Sequence, residues 1–219
     1  MGEDAPTPTS PPPGTARTRN RRGEGGRLRD DIVAAAVELL EETGDESSVT
    51  LRSIARRVGV AAPSIYRHFP DQPSIMLAVA QQAFAMLETE LRSALDTADG
   101  GARERLFAVC GAYLGFADKH PGRYRTMFGG VWMPDLGNGS VTGSDVSSLG
   151  SASLALLAET LGDCVSAGCA TSTDLTADAV ALWLGLHGLA HQRSATVAFP
   201  WPPDIAERII TTLAHLDDV

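Results

Sequence analysis

Apolar residues recur along this chain at a spacing of three to four over almost its whole length, and convincing alternation of period two appears nowhere. Leu28, Ile32, Ala36 and Leu39/Leu40 share one helical face, and Gly44 supplies the stop. Thr50 caps a short segment with Leu51, Ile54, Ala55 and Val58 on its apolar side. Gly59-Val60 breaks that segment, and a second short one runs from about Ala61 to His68. After Pro70-Asp71-Gln72-Pro73 a long pattern follows (Ile75, Val79, Phe84, Leu87, Leu91, Leu95), closed by Asp99-Gly100-Gly101. Leu106, Cys110, Tyr113, Leu114 and Ala117 mark a further helix, ended by Pro121-Gly122, and Arg123 to Phe128 a short one. Residues 129–145 hold five glycines and no helical period, which predicts a loop. Leu149 to Val165, Leu175 to Thr196 and Asp204 to about Leu216 complete the set, with no internal repeat. The expected fold is therefore all-α.

Composition modifies this picture at the N-terminus. Residues 1–26 hold five Pro, five Gly and almost no large apolar side chain, so a disordered tail is expected there. That stretch has no apolar core and does not read as a signal peptide. The longest uncharged apolar stretch, Ala179 to Gln192, is too short to span a bilayer, so no membrane partner is expected. Three cysteines (Cys110, Cys164, Cys169) with no C-x-x-C pair argue against a disulfide framework or a structural zinc, and favour a reducing cytoplasm. Cys164 and Cys169 read as apolar filler, with a redox pair as the alternative. The single lysine, Lys119, is followed by His120, which excludes a Walker-type phosphate loop.

Net charge is −9, which at first sight argues against a nucleic-acid partner. Its distribution says otherwise. From residue 73 onward there are 8 basic and 16 acidic side chains, so the excess lies in the C-terminal part. Arg17 to Arg29 holds six Arg against the single Glu24, and Val49 to Pro70 holds four Arg and no acid. The first run suits either a solvated tail or an arm along DNA. The second coincides with two short helices around a glycine turn, the helix-turn-helix arrangement, whose second helix can enter the major groove. Ile54, Ala55, Val58 and Val60 would lock the pair together, leaving Arg52, Arg56, Arg57 and Arg67 outside.

Here the chain resembles a known family. RLRDDIVAAAVELLEETG, then VTLRSIARRVGV, then APSIYRHF before a long helix are similar to the N-terminal domain of the tetracycline-repressor (TetR) family of one-component regulators. Ser64-Ile65-Tyr66-Arg67-His68-Phe69 is the most diagnostic run, and ALWLGLHGLAH, residues 181–191, resembles a C-terminal variant marked by a Trp and a His-Gly. The resemblance implies a three-helix helix-turn-helix DNA-binding domain over 27–73 and an effector-binding and dimerisation domain over 74–219. It also implies a ligand-responsive repressor released from a pseudo-palindromic operator. Carried over residue by residue, Thr50 would hold a phosphate, Arg52 would reach a guanine edge or a phosphate, and Ala61, Ala62 and Ser64 would face bases. Tyr66 and His68 would hold the DNA backbone, while Ile65 and Phe69 would point inward. Two residues depart from the family pattern: Ala62 offers only a methyl, and Gln72 stands where a phosphate-gripping Lys is usual.

For the C-terminal part, Tyr113, Phe116, Tyr124, Met127, Phe128, Trp132, Trp183 and His187 are large, partly polar groups that suit an apolar pocket with a few polar anchors, with ordinary core as the alternative. Gly185 and Gly188 would permit close approach of a partner helix. Ile205, Ile209, Leu213 and Leu216 form a stripe that suits a homodimer interface, with burial inside one chain as the competing reading. His187 and His191 have metal-ligand spacing, but Gly188 stands where a metalloprotease needs its Glu, and no third ligand lies nearby in sequence. With no G-x-S-x-G, G-x-G-x-x-G or Cys-based signature either, no enzyme, cofactor or metal is expected. A metal-dependent α-helical enzyme and a small-molecule binder without DNA are the alternatives.

Overall fold

The computed structural model describes residues 25–128 and 139–217, and among these it is helical with no strand. Among the described residues the only extended pairing is a single bridge between Ala170 and Leu216. The helices are α1 (Gly25–Thr43), α2 (Leu51–Val58), α3 (Ala62–Ile65), α4 (Gln72–Thr97), α5 (Ala102–Lys119), α6 (Pro121–Phe128), α7 (Gly143–Ser147), α8 (Ser151–Ser166), α9 (Leu175–Ala195) and α10 (Ile205–Leu213). A 3-10 turn, Glu46–Ser48, lies between α1 and α2. Gly25 and Gly26 already belong to α1, inside the stretch expected to lack structure. None of these helices is long and apolar enough to cross a membrane.

Local signals set the head, α1 to α3. Thr50 Oγ1 accepts from the Ser53 amide at 3.0 Å, and the Thr50 amide donates to Ser53 Oγ at 2.9 Å, so each residue satisfies the other's free backbone group. Gly59 ends α2 at φ +73°, a left-handed conformation that costs glycine nothing and lets the chain reverse. The segment expected to run to His68 is helical only to Ile65. Beyond it, the His68 and Phe69 amides both donate to the Ile65 carbonyl, at 2.9 and 3.0 Å. Pro70 then closes the segment, because its ring disfavours a helical Phe69. Ile32, Ala36, Val49, Ile54, Ile65 and Ile75 are 0% exposed and form the head core.

α4 continues that core and then leaves it. Ile75, Met76, Ala78 and Val79 pack with the head, whereas Leu87 and Leu91 pack with the body, α5 to α10. α5 lies along α4, α8 and α9 pack on α5, and α10 covers α9. The stretch read as loop to residue 145 holds the start of α7, where Thr142 and Asp145 make a reciprocal cap like that of Thr50 and Ser53. This helix is set by its cap and carries no apolar period. The rest of that stretch, 129–138, lies outside the described residues.

Asp71 starts α4 and joins three segments. Its Oδ1 accepts from the Ser74 amide at 3.0 Å and from Ser140 Oγ at 2.7 Å, tying the segment before α7 to the first turn of α4. Partial burial pushes the Asp71 carboxyl up, but the hydrogen bonds from Ser140 and Ser74 outweigh it and hold the group below its ordinary value. Such a carboxylate stabilises the fold above the unfolded aspartate's range and loses that contribution as pH falls through its own lowered value. Asp71→Ala is therefore expected to cost about 1 kcal/mol at neutral pH. In chemical denaturation the gap between variant and parent should narrow on acidification.

Candidate functional site

The outer surface of the head is where the sequence placed its basic residues, and the structure divides them. Arg57 grips α1: its guanidinium bonds both oxygens of Glu42, at 2.7 and 2.6 Å, and Glu38 at 3.2 Å. It ties α2 to α1 and is not a free cation, which corrects its grouping with the other three. Hydrogen bonding to Arg57 holds the Glu42 carboxyl below its usual value. Arg52, Arg56 and Arg67 are exposed, and no carboxylate among the described residues pairs with them. Tyr66 is 59% exposed beside them, high for a ring with an apolar body. Thr50 and Ala61 are exposed, while Ala62, Ser64 and His68 are half-buried and the Ala62 methyl packs partly against the head core.

Gln72 faces elsewhere. Its amide donates to the Glu46 carbonyl at 3.0 Å, bracing the 3-10 turn against α4. Ile65 and Phe69 are buried, and the Arg29 guanidinium sits 4.6 Å over the Phe69 ring. Arg17, Arg19, Arg21 and Arg22 lie outside the described residues. What remains is an exposed set of three unpaired guanidinium groups with no acid between Val49 and Pro70, which is chemistry suited to phosphate oxygens and guanine edges.

In the body the aromatic residues gather around His187. Tyr124 Oη lies 2.7 Å from His187 Nδ1, and Tyr113 Oη lies 3.1 Å from Tyr124 Oη. The Phe128 ring lies 4.8 Å from His187, and Trp183 stacks on His187 at 5.6 Å. With Nδ1 unprotonated, Tyr124 donates to it and Tyr113 donates to Tyr124; with the proton on Nδ1 both bonds reverse. Burial pushes the Tyr113 phenol up to about 12 against the hydrogen bonds of Tyr124 and Trp183, and it raises Tyr124 as well. Both phenols therefore stay protonated. Burial, and then the neighbouring His191, lower His187.

Tyr113, Phe128 and Trp183 line a cavity of about 30 Å³ with Phe84 and Leu91 of α4 and Ser153 and Leu157 of α8. That is room for a water or two. No charged side chain lines it, and the buried Ser153 hydroxyl has no hydrogen-bond partner among the described residues. Tyr124 and His187 stand behind this wall through the hydroxyl chain. Phe116 is fully buried core beside His120, Met127 is partly buried against the body core, and Trp132 lies outside the described residues. The apolar pattern places Phe84 on one face of the long helix and gives Ser153 no role, so neither reads as pocket lining from the sequence. The signal is the lone aromatic of α4; in α8, Ser153 is one of four hydroxyl residues, with Ser151, Thr160 and Ser166, and does not stand out.

Leu216 is 7% exposed within its own chain, and Ile205, Ile209 and Leu213 are partly buried against the body core. A Cβ on Gly185 would stand 2.5 Å from Leu213 Cδ1 and 2.9 Å from Ile209 Cγ2, so this glycine admits the chain's own α10; Gly188 faces open space. Leu184, 53% exposed, remains uncovered on α9. The rings of His187 and His191 stack 6.4 Å apart, and among the described residues no third His, Cys, Asp or Glu joins them as a metal-binding group. The three thiols are free. Burial, then neighbouring Cys164, pushes Cys110 up to about 12, and burial, then Cys169, does the same to Cys164, so both stay protonated and behave as apolar filler.

Two family models match the chain. Residues 106–216 match the tetracyclin repressor-like C-terminal domain, and residues 32–79 match the bacterial regulatory proteins of the tetR family. Among curated proteins, nucleoid occlusion factor SlmA of Vibrio campbellii is 30% identical over 105 residues, which are 48% of this chain and 53% of that one. The chain thus spans about half the length of the curated relatives it matches. A solved protein of unknown function from Rhodococcus sp. RHA1 is 27% identical, with a TM-score of 0.70 over 89% of this chain and 95% of the other. A regulatory protein in the tetR family, also from Rhodococcus RHA1, shares the fold at 19% identity and a TM-score of 0.62, over 88% of this chain and 99% of that one.

A partly buried neutral histidine whose value is lowered binds its proton less readily than the unfolded chain does, so it withdraws stability as pH falls through the ordinary value of 6.5. Proton NMR is expected to show His187 titrating below that value. In His187→Gln, the loss of thermal stability between neutral pH and about 5 should be smaller than in the parent protein. An unshifted midpoint would mean that the ring is solvated.

Proposed function

This chain belongs to the tetracycline-repressor (TetR) family of bacterial regulators, and from that premise we propose a ligand-responsive DNA-binding transcriptional repressor. The observation that carries the reading is the set of unpaired guanidinium groups of Arg52, Arg56 and Arg67, gathered on the helix-turn-helix of an otherwise acidic protein. Phosphate contacts give affinity and register, and side chains on α3 and the start of α2 read bases. Two copies joined through the α9–α10 side, with the exposed Leu184 at the seam, present two heads to a pseudo-palindrome. We assign no residue a catalytic role and read the chain as cytoplasmic.

The effector site is the cavity bounded by Phe84, Tyr113, Phe128, Ser153 and Trp183. Its lining selects an uncharged, largely apolar molecule with one polar group for Ser153. At about 30 Å³ the cavity must widen to accept it, and its α4 wall, Phe84 and Leu91, is what moves. α4 carries that displacement to the head, and DNA affinity falls by the difference between the effector's affinities for the two arrangements.

Fluorescence anisotropy with DNA from the region upstream of the protein's own coding sequence tests this reading. Arg52→Ala should weaken binding by roughly 1–3 kcal/mol and relax one base position if the residue reads guanine. A uniform loss across operator variants assigns it to phosphate instead. Absence of binding to any DNA at low salt would sink the proposal.

A further inference from the structure

A second cavity lies where head and body meet, enclosed by α1, the first half of α4 and α6, with a volume of about 130 Å³. It shares no lining residue with the effector cavity. Leu40 of α1 and Met76, Val79 and Ala83 of α4 make its walls apolar. The volume is close to the ~150 Å³ that holds one benzene ring in an apolar protein interior.

One side chain in this wall lacks what its chemistry requires. Arg123, on α6, is three-quarters buried, and its Nη1 is buried with no hydrogen-bond partner among the described residues. The nearest carboxylate, Glu41 Oε1, stands 3.9 Å from the other terminal nitrogen, beyond hydrogen-bond distance. A buried unmatched donor on a cation is costly, and a guanidinium is best satisfied by a planar anion that accepts two parallel bonds. The charged groups around the cavity balance in number, Arg123 and Arg125 against Glu41 and Glu46. Burial, then the neighbouring Asp45, push the Glu46 carboxyl up.

We propose that this cavity is a binding site for a small organic monocarboxylate, its carboxylate on Arg123 and its apolar body, about one ring in size, against Leu40, Met76 and Val79. Apolar walls favour an organic acid over a free inorganic anion, and the one orphaned guanidinium nitrogen favours one carboxylate. An occupant touches α1 and α6 at once. On the DNA-binding reading above it therefore biases the head against the body from a place separate from the effector cavity.

The test is direct titration of the full chain by calorimetry with benzoate, benzamide and inorganic phosphate, with no DNA present, so the site stands or falls independently of the DNA-binding reading. Benzoate should bind saturably, benzamide at least about tenfold more weakly, and phosphate should fail to displace benzoate. Arg123→Met should lose at least about tenfold in benzoate affinity while its thermal midpoint stays level or rises, because the orphaned donor is gone. Ala83→Leu, which fills the cavity and keeps the cation, should also block benzoate. Equal binding of benzoate and benzamide, displacement by phosphate, unchanged affinity in folded Arg123→Met, or no saturable binding to the folded parent would each overturn the proposal.

Discussion

One helix belongs to two cores, and the rest of the molecule is arranged around that fact. The first turns of α4 bury Ile75, Met76 and Val79 in the head, and its later turns bury Leu87 and Leu91 in the body. Its 26 residues contain no glycine, and the only proline, Pro73, sits in the first turn where its ring is tolerated. The helix therefore has no built-in place to bend. The residues between its two packed ends, Ala80 and Ala83, are small and buried, which lets other helices approach it closely there. Neither core can shift along α4 without the other responding, and both cavities use this helix as a wall.

Electrostatics follow the same division. The body carries the acidic excess, and of the four Arg between Val49 and Pro70 three stay free while Arg57 bonds Glu38 and Glu42 of α1. Such exposed pairs contribute little to stability. Here the pair has a geometric effect, because it fixes α2 against α1. Inside the body, charge is avoided. Its polar interior includes two phenols and a neutral imidazole, and the Tyr113–Tyr124–His187 chain lets one proton position orient two hydroxyls together.

Much of this was legible in the residues. The apolar period located the long helices, Thr50 and Gly59 marked the turn geometry of the head, and the Ser64–Phe69 run carried the family. What escaped has a common cause. Arg57 looked like Arg52, Arg56 and Arg67 because its partners lie 15 and 19 positions away, on another helix. Gln72 looked like a weakened phosphate contact, yet it reaches the Glu46 carbonyl across 26 positions. α7 depends on a cap rather than a period. The cavity lining drew on Phe84 and Ser153, each unremarkable within its own helix. Local periodicity reports which face is buried, but not which buried group is left without a partner, and both proposed ligand sites turn on such orphaned groups.

On the proposed reading, the near-closed state of the cavity at Phe84 and Ser153 sets how the protein would behave as a detector. A molecule that must first part Phe84 from Leu157 gives up part of its binding free energy to that opening, so its apparent affinity lies below what the contacts alone would give. Weakly fitting molecules of similar shape are discounted by the same amount and fall below the level at which the head responds. Packing density at one spot thereby acts as a concentration threshold. Loosening it would make the protein more sensitive and less discriminating together, since both properties come from the same few ångströms of closed space.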